Sequence, residues 1–584
     1  MPGLLAMVDA VLAPVFDDLQ PGAASGLRVS QRADLQVDGA LGLARSLGRP
    51  PREVASEVLA IAMARGLDDI CESAEVAGPG FINLTLSGEF LARELRKMSA
   101  GTADLSDTRS SPPLKVVVDY ASPNAAKQMH VGHLRSTIIG DSLVRLLEFV
   151  GHTVVRENHI GDWGLPFGML IEHLLDLGEE VAVRERAMGD LEQFYQEARS
   201  AYDTDPDFAD RARARVVLLQ SGDAETLRLW QLLVYQSVSY FDEQFHRLGT
   251  KLTPDDVVGE SYYNAMLADV VKGLAEKGLL VQSDGAQCVF PPGHTNREGD
   301  PLPLIIQNSA GGYTYATTDL AAIRDRVDRL GAQLLVYVVG NPQAEHFAMV
   351  FATARLAGWL PESTQAVHVG FGNVLGADGK MFRTRQGGTV KLDELLDEAV
   401  ERAKAVVATR DEEMGTLPPD ELLVIADAVG TGAVKYADLS TDRTRDYRFD
   451  WDRMLSFDGN TGPYLQYAHA RICSIFRRAA EAAVLIDATH APIAVKEHEE
   501  RELAKRLLGF GDSVWSSVES YSPHKLCGYL FELASAFTGF YERCPVLRAE
   551  DAETRSSRLA LCGLTAAALE MGLDLLGIRA PKRM

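Results

Sequence analysis

Cysteine is scarce in this sequence, which contains six cysteines in 584 residues and no C-x-x-C pair. A disulfide framework needs closely spaced cysteines, and a cysteine-based zinc site needs paired ones. We therefore predict no structural metal and a reducing, cytoplasmic environment. The six residues are scattered along the chain, at Cys71, Cys288, Cys473, Cys527, Cys544 and Cys562.

Long apolar runs and an excess of basic residues are also missing. No stretch approaches the roughly 18 residues that span a bilayer, so no membrane association is expected. The chain has 58 basic and 82 acidic side chains, a formal net charge of −24. This balance argues against unspecific coating of nucleic acid, but it allows basic patches on an acidic body. The opening segment MPGLLAMVDAVLAPVFDDLQ has no basic leader and is expected to form an amphipathic helix.

The chain is too long for one hydrophobic core, since single cores stop growing near ~250–300 residues. Residues 1–108 mix helical patterns with the strand FINLTL, which predicts an N-terminal α+β domain. Residues 109–395 alternate strands such as LKVVVDY and LLVYVVG with helices. That alternation predicts a Rossmann-type, doubly wound parallel sheet, with a charged helical insertion near 170–250. Residues 396–584 have helical periodicity without strand signals, which predicts a helical bundle.

A strand–loop–helix unit in the central region is the most informative chemical feature. The strand LKVVVDY is followed by the polar loop ASPNAAKQM and the helical segment HVGHLRSTIIGDSLVRLLEFVG. A helix that begins at the carboxyl edge of a parallel sheet directs backbone N–H groups and its positive dipole end towards an anion. His130 and His133 bracket Gly132, and two imidazoles there suit the charge that develops on a phosphoryl group. The alternative is a pair of surface histidines that cap a helix.

A second candidate phosphate-binding segment is GADGKMFRTRQGGTVKL. Lys380, Arg383 and Arg385 lie in a glycine-rich loop of the kind that closes over a triphosphate. The alternative interpretation is a solvated basic turn.

These two segments together are similar to the paired signatures of the class I aminoacyl-tRNA synthetases. The segments VVVDYASPNAAKQMHVGHLRSTIIGD, ENHIGDWGLPFGMLI, FDGNTGPYLQYAHARI and GLDLLGIRAPKRM resemble the arginyl-tRNA synthetase family, and the likeness runs from about residue 30 onwards. It implies that a monomeric enzyme activates L-arginine with ATP and Mg²⁺, and transfers it to the 2′-OH of the terminal adenosine of tRNA(Arg). It also implies that activation requires bound tRNA.

One position departs from the class I pattern. Arg383 stands where the second lysine of the loop is usual, and a guanidinium is a planar fork rather than a point charge. The resemblance implies that Lys127, just before the HVGH segment, supplies the missing charge, although Arg383 itself is the other candidate.

A pocket for arginine needs carboxylates for a guanidinium that stays protonated, and a flat surface beside it. Taken singly, the candidate residues also have ordinary structural explanations, such as a strand-end cap or a loop residue. The residues implied by the resemblance are Asp119 and Asp319 for the guanidinium, Ser122 and Asn124 for the backbone end of the amino acid, and Tyr315 and Gln343 for the pocket wall.

The two outer regions resemble the tRNA-binding parts of the same family. In the C-terminal bundle, Tyr464 and Arg471 are candidate anticodon contacts, because aromatic and arginine side chains suit unstacked bases. In the N-terminal region, Phe81 and Asn83 would contact the D-loop at the tRNA elbow. For each aromatic residue, a place in the hydrophobic core is the competing interpretation.

Two other functions stay open at this point. A different class I enzyme, such as a synthetase for another amino acid or a small-molecule adenylyltransferase, would use the same phosphate site. A catalytically silent tRNA-binding paralogue would keep the outer regions alone. The histidines and lysines of both signatures favour a catalyst, and the paired acidic pocket residues favour arginine.

Overall fold

The computed structural model describes residues 3–99, 112–125, 127–178, 191–376, 378–382, 390–414, 417–482 and 493–584. Within these ranges, no helix is both long enough and apolar enough to cross a membrane.

The N-terminal region is an antiparallel four-stranded sheet with helices packed against it, in the strand order β1-β2-β4-β3. The strands are β1 (Leu27–Val29), β2 (Leu35–Val37), β3 (Cys71–Ala77) and β4 (Phe81–Leu86), and the helices are α1 (Leu4–Leu19), α2 (Gly39–Leu47), α3 (Pro51–Ala64) and α4 (Gly88–Ser99). The α+β prediction is confirmed, but only β4 was expected from the sequence. The other strands are short or, like β3, lack an alternating apolar pattern.

The central region is built on a parallel four-stranded sheet in the order β11-β10-β5-β6, as predicted. Its strands are β5 (Lys115–Asp119), β6 (Thr153–Glu157), β10 (Leu334–Tyr337) and β11 (Gln365–His368). Val116 and Val118 contribute to one hydrophobic core, and Val117 contributes to another. Because alternate residues of a strand point to opposite faces, β5 is covered on both sides, as a doubly wound sheet requires.

Helices connect the strands of this sheet and form the predicted insertion. The connecting helices are α5 (Val131–Phe149), α6 (Leu165–Leu177), α10 (Asn264–Glu276), α11 (Tyr315–Arg324) and α12 (Ala344–Leu356), and the insertion consists of α7 (Leu191–Thr204), α8 (Pro206–Ser221) and α9 (Ala224–Leu248). Short 3-10 turns cover Leu67–Asp69, Pro254–Asp256, Glu260–Tyr263 and Asn341–Gln343, and a π-helical turn, Asp325–Arg329, follows α11. The helical character of the insertion is confirmed.

A small antiparallel sheet beside α11 was not predicted. Its strands are β7 (Val281–Ser283), β8 (Ala286–Val289) and β9 (Leu304–Gln307). They are three or four residues long and carry polar side chains, so they lack a period-2 signal. Val289, Leu304 and Ile306 join the core that also contains α11.

The C-terminal region is helical, as expected. Its helices are α13 (Leu392–Met414), α14 (Pro419–Leu439), α15 (Trp451–Met454), α16 (Gly462–Glu481), α17 (His498–Leu508), α18 (Phe510–Glu519), α19 (His524–Arg543) and α20 (Ala552–Leu575). The expectation of no strand beyond residue 395 is wrong in one detail, because β13 (Tyr447–Arg448) pairs in parallel with β12 (Val374–Leu375). Two residues are too few to produce a sequence pattern.

Buried polar contacts join α5 to the C-terminal helices. The guanidinium of Arg135 lies 3.1 Å from the carboxylate of Asp438 in α14, and both side chains are 1% exposed. The hydroxyl of Ser142 donates to the Leu575 carbonyl oxygen at 3.0 Å. The helix that begins with HVGH is therefore anchored directly to the last helix of the chain.

The N-terminal region is also attached to the C-terminal helices. Asp34 lies 3.0 Å from Arg501 and 2.6 Å from Lys505. The backbone N–H of Leu5 donates at 2.8 Å to the carboxylate of Asp512, so a residue of α18 caps the first turn of α1. Asp34 and Asp512 thus hold the first and last parts of the chain together.

Candidate active site

The loop after β5 makes a sharp turn at the carboxyl edge of the parallel sheet. Ala121 and Ser122 have left-handed φ angles of 70° and 46°, which non-glycine residues rarely adopt. The hydroxyl of Ser136 accepts the Ala121 N–H at 2.9 Å and donates to the Val338 carbonyl at 2.6 Å. This contact ties the strained turn to α5 and to the chain after β10.

The HVGH segment forms the N-terminus of α5, as predicted. Nδ1 of His130, the N-cap residue, accepts the Gly132 N–H at 3.0 Å. Nδ1 of His133 accepts the His130 N–H at 3.1 Å, which completes a capping box. Because both Nδ1 atoms accept, the proton of each neutral imidazole resides on Nε2.

The electrostatic surroundings keep His133 neutral. Burial, the neighbouring His130 and Lys127 lower the pKa of His133 to about 3. The two rings lie 4.0 Å apart. A β-carbon on Gly132 would lie 2.7 Å from the ring of His130, so glycine is required between them. The segment therefore places two imidazoles, with His133 neutral, at a helix N-terminus, which suits a phosphate group.

The second signature is connected to the first through the backbone. The N–H of Val131 donates to the Val390 carbonyl at 3.0 Å, and the N–H of Leu392 donates to the Met129 carbonyl at 3.0 Å. Lys380 is exposed in the hairpin closed by the pairing of Leu375 with Met381. The predicted residues Arg383 and Arg385 lie outside the described residues.

Lys127 precedes the HVGH segment and contacts the helical insertion. Its ammonium nitrogen lies 4.3 Å from the ring centroid of Tyr195 in α7, within the range of a cation–π contact. Its positive charge is one of the groups that lower the pKa of His133. Lys127 thus lies beside the predicted phosphate site.

Asp119, the last residue of β5, lies in a buried charge cluster. Its Oδ2 accepts from Arg326 at 2.7 Å, and its Oδ1 accepts from the Ser122 hydroxyl at 3.1 Å. Arg326 also donates to Glu157, at the end of β6, at 2.7 Å. Burial by itself would raise the pKa of Asp119, but Arg326 and His159 outweigh it and lower the pKa to about 2. Asp119 is therefore ionised.

Ser122 and Asn124 lie on the loop that follows Asp119. The Ser122 N–H donates to the side chain of Asn158 at 3.0 Å. Asn124 pairs with Gly161 through the backbone, and a β-carbon on Gly161 would lie 2.4 Å from the amide oxygen of Asn124. The HIGD segment that contains Gly161 therefore supports the predicted amino-acid-binding loop.

Asp319 and Tyr315 lie one turn apart on α11 and both contact His346. Nε2 of His346 lies 2.6 Å from Oδ2 of Asp319, and its ring centroid lies 4.7 Å from that of Tyr315. Tyr315 is 65% exposed. Gln343 is exposed at the N-cap of α12, three residues before His346. Three of the predicted pocket residues thus surround the start of α12.

Three residues of this site were missed by the sequence interpretation. Glu157 ends the strand beside β5, so its place at the same sheet edge follows from the topology. Arg326 and His346 reach the site only through the tertiary fold, and no local pattern marks them.

Phe81 and Asn83 lie on the outer face of β4. Both are partly buried and alternate with buried Ile82 and Leu84, so Phe81 is not a core residue. The side chain of Gln36 donates to the amide oxygen of Asn83 at 2.7 Å. The two residues predicted to contact tRNA thus share one accessible sheet face.

Tyr464 and Arg471 are both partly buried on α16. The Tyr464 ring lies 5.7 Å from that of Phe531, and the guanidinium of Arg471 lies 4.4 Å from the ring centroid of Tyr541. Both therefore pack against α19.

Three family models match successive parts of the chain. The model for the class I (R) tRNA synthetase catalytic domain matches residues 100–451, the DALR anticodon binding domain matches 465–584, and the arginyl tRNA synthetase N terminal domain matches 8–86.

Similar proteins and structures extend over nearly the whole length. The arginine–tRNA ligase of Thermobifida fusca is 53% identical over 582 residues, covering 98% of this chain and 97% of that protein. The arginine–tRNA ligase of Pseudoalteromonas atlantica is 49% identical, with 94% coverage of each chain. The crystal structure of Plasmodium falciparum arginyl-tRNA synthetase has 30% identity, a TM-score of 0.83 and full coverage of both chains. The Thermus thermophilus arginyl-tRNA synthetase has 26% identity, full coverage and a TM-score of 0.79. This chain belongs to the arginyl-tRNA synthetase family.

Proposed function

We propose that this chain activates L-arginine with ATP to form arginyl-adenylate and pyrophosphate, and then transfers the arginyl group to the 2′-OH of the terminal adenosine of tRNA(Arg). One observation carries the assignment. Two imidazoles at a helix N-terminus and a carboxylate-lined pocket lie at the same edge of one parallel sheet. An anion and a cation therefore have adjacent sites, as ATP and arginine require.

Arginine binds with its guanidinium towards Asp119 and Asp319, and with its amino-acid end on the loop of Ser122 and Asn124. The carboxylates supply charge-assisted hydrogen bonds, which are the strong ones for a guanidinium. The pocket wall consists of Tyr315, Gln343 and His346.

In the first step, an oxygen of the arginine carboxylate attacks the α-phosphorus of ATP. The bond from that phosphorus to the bridging oxygen of the β-phosphate breaks, and pyrophosphate leaves. His130 and His133 donate from Nε2 to the phosphoryl oxygens as their charge grows. Gly132 lets the phosphate approach the helix N-terminus.

The β- and γ-phosphates bind cationic side chains from the two signatures. These are Lys127 and Lys380, together with Arg383 and Arg385 of the following loop. Mg²⁺ enters with ATP as part of the substrate, bound to its phosphate oxygens. Within the described residues, no group of three or more His, Cys, Asp or Glu side chains is arranged to hold a metal ion.

In the second step, the 2′-OH attacks the carbonyl carbon of the adenylate, and AMP leaves. Residues 1–108 contact the tRNA elbow through Phe81 and Asn83, and residues 109–395 catalyse the reaction. Residues 396–584 bind the anticodon through the region of Tyr464 and Arg471. The family resemblance implies that adenylate formation depends on bound tRNA, and buried contacts join α5 to the C-terminal helices.

The enzyme acts as a monomer in the cytoplasm. All six cysteines are unpaired, and five of them are buried, which fits a reducing compartment. Light scattering at micromolar concentration measures the molecular mass. The mass of a dimer would contradict the proposed monomeric state.

The defining experiment is ATP–pyrophosphate exchange over all amino acids, with and without total tRNA. Exchange with arginine alone, and only when tRNA is present, is the expected result. Exchange with another amino acid would contradict the substrate assignment. Binding of tRNA without any exchange would favour the silent paralogue.

The pocket assignment is tested by Asp319→Ala. The variant should lose arginine binding and keep ATP binding, because the carboxylate that contacts the guanidinium and His346 lies apart from the phosphate site. Asp328→Ala, an exposed acidic residue on the turn after α11, is the matched control. Normal arginine affinity in Asp319→Ala would contradict the assignment.

A further inference from the structure

Arg326 occupies an environment like the one expected for the substrate. Its guanidinium is 1% exposed and lies 2.7 Å from both Asp119 and Glu157. Its central carbon lies 5.0 Å from the ring centroid of Tyr337. Two carboxylates and a flat aromatic surface are the groups that bind a guanidinium. The protein therefore keeps a guanidinium of its own beside the proposed arginine pocket.

We propose that Arg326 is a positioning residue for arginine recognition, which fixes the Asp119 carboxylate by bridging it to Glu157 and does not touch the substrate. This inference rests on the proposed role of Asp119 in binding the guanidinium. Arg326 occupies Oδ2 of Asp119 and the Ser122 hydroxyl occupies Oδ1, so both oxygens have fixed directions. Each oxygen keeps a second lone pair with which to accept from the substrate.

Arg326 also links the two halves of the pocket. Tyr315 and Asp319 lie at the start of α11, and Arg326 lies on the π-helical turn that follows it. Its bond to Asp119 therefore sets where α11 lies relative to β5. Loss of this bond would change the spacing between the two carboxylates, and guanidinium recognition depends on that spacing.

The ionisation of Asp119 depends on its charged neighbours. Glu157 is acidic, whereas Arg326 and His159 are basic and lower the pKa of Asp119. Without Arg326, burial and the nearby Glu157 would both oppose ionisation of Asp119. The groups that face Asp119 from the surrounding elements are Arg326, Glu157, His159, Tyr263, Asp319, Tyr337 and Ser122.

The experiment compares Arg326→Lys and Arg326→Met with Arg329→Met. Arg329 lies on the same turn and is 53% exposed, but it pairs with buried Asp325 and not with Asp119, so it is a matched control. Pyrophosphate exchange is measured with L-arginine, ATP and total tRNA. Both Arg326 variants should raise the KM for arginine by about tenfold or more, with the KM for ATP and kcat within about twofold. Arg329→Met should change none of these values.

The pH profile separates positioning from mere structural support. The ratio of the KM for arginine in Arg326→Met to that in the unaltered enzyme should rise as the pH falls from 8 to 6, because Arg326 no longer lowers the pKa of Asp119. A purely structural role would lower the folded fraction, and hence kcat, and would leave the KM and its pH dependence unchanged. That result would overturn the inference.

Two further variants complete the test. If Arg326→Met does not fold, the double variant Arg326→Met with Glu157→Gln removes one positive and one negative charge together. An unchanged KM for arginine in this double variant would overturn the inference. Asp119→Asn tests the proposed function separately. If Asp119→Asn leaves the KM for arginine unchanged, the role of Asp119 fails whatever the Arg326 variants do. If Asp119→Asn raises the KM and the Arg326 variants do not, only the inference fails.

Discussion

The carboxylates that pair with two fully buried arginines, Arg326 and Arg135, have pKa shifts of opposite sign. Arg326 meets Asp119 and Glu157 at 2.7 Å, and the pKa of Asp119 falls to about 2. Arg135 meets Asp438 at 3.1 Å, and burial outweighs that pairing and raises the pKa of Asp438 to about 6. An ion pair by itself therefore does not fix the sign of a pKa shift.

The difference lies in the number and closeness of the partners. Asp119 also has His159 and the Ser122 hydroxyl beside it. Arg135 donates partly to the Arg445 carbonyl and lies against aromatic rings, so less of its charge serves Asp438. In the proposed function the first pair keeps a fixed charge for arginine, whereas the second ties two parts of the chain together.

The largest expected effect separates ligand binding from domain contact. Asp119→Asn should raise the KM for arginine by about 100-fold, because a charged hydrogen bond to the guanidinium is lost. Asp438→Asn should leave this KM within about twofold. The measurement is tRNA-supported pyrophosphate exchange, and equal effects on KM would remove the functional contrast between the two pairs.

The next effect concerns the stability of the domain contact. Arg135→Met should lower the free energy of unfolding by about 2 kcal/mol at pH 7.5. This loss is smaller than for most broken buried ion pairs, because the unpaired Asp438 readily takes up a proton. Thermal unfolding of the full chain measures it. A melting temperature equal to that of the unaltered protein would contradict the view of this pair as a tie.

A smaller effect is the dependence of stability on pH. Because the folded-state pKa of Asp438 is raised to about 6, the folded protein binds its proton more readily than the unfolded chain. The stability advantage over Asp438→Asn should therefore fall by about 1 kcal/mol as the pH rises from 5 to 7. The folded-state pKa of Asp119 is lowered, so its contribution is lost only as the pH falls below about 4. The difference in the free energy of unfolding between the unaltered protein and Asp119→Asn should therefore stay constant from pH 5 to 7. A change over this range would contradict the lowered pKa of Asp119.

The smallest effect is expected at an exposed ion pair, that of Lys272 and Glu276 on α10, whose side chains are 72% and 67% exposed. Lys272→Met should change the free energy of unfolding by less than about 0.5 kcal/mol, because solvent screens an exposed ion pair. A larger loss in thermal unfolding would mean that surface pairs contribute to stability as much as the buried pair of Arg135 and Asp438.

The features that depend on local chemistry could be predicted from the sequence. His130 at the start of α5 follows from an apolar strand, a polar loop and a helical pattern, and the parallel sheet follows from alternating strands and helices. The proposed phosphate site at His130 could be predicted because these elements follow one another along the chain. The site residue assignments carried by the family resemblance stay predictions, and Arg383 and Arg385 lie beyond the described residues.

The features that depend on distant contacts could not be predicted. Arg326 is 207 residues from Asp119 along the chain, and its environment exists only after the sheet has formed. His346 contacts Asp319 across 27 residues and two elements. The small sheet of β7, β8 and β9 could not be predicted because its strands are too short to give a periodic pattern.

The cap that Asp512 provides for α1 has a consequence for the order in which the protein folds during synthesis. The two partners are 507 residues apart. At roughly 5–20 residues per second, a ribosome needs about 25–100 s to travel from one to the other. Over that interval the first helix has left the ribosome, but its first-turn N–H groups lack their acceptor. The N-terminal region therefore gains this cap only after the residues of α18 have been synthesised.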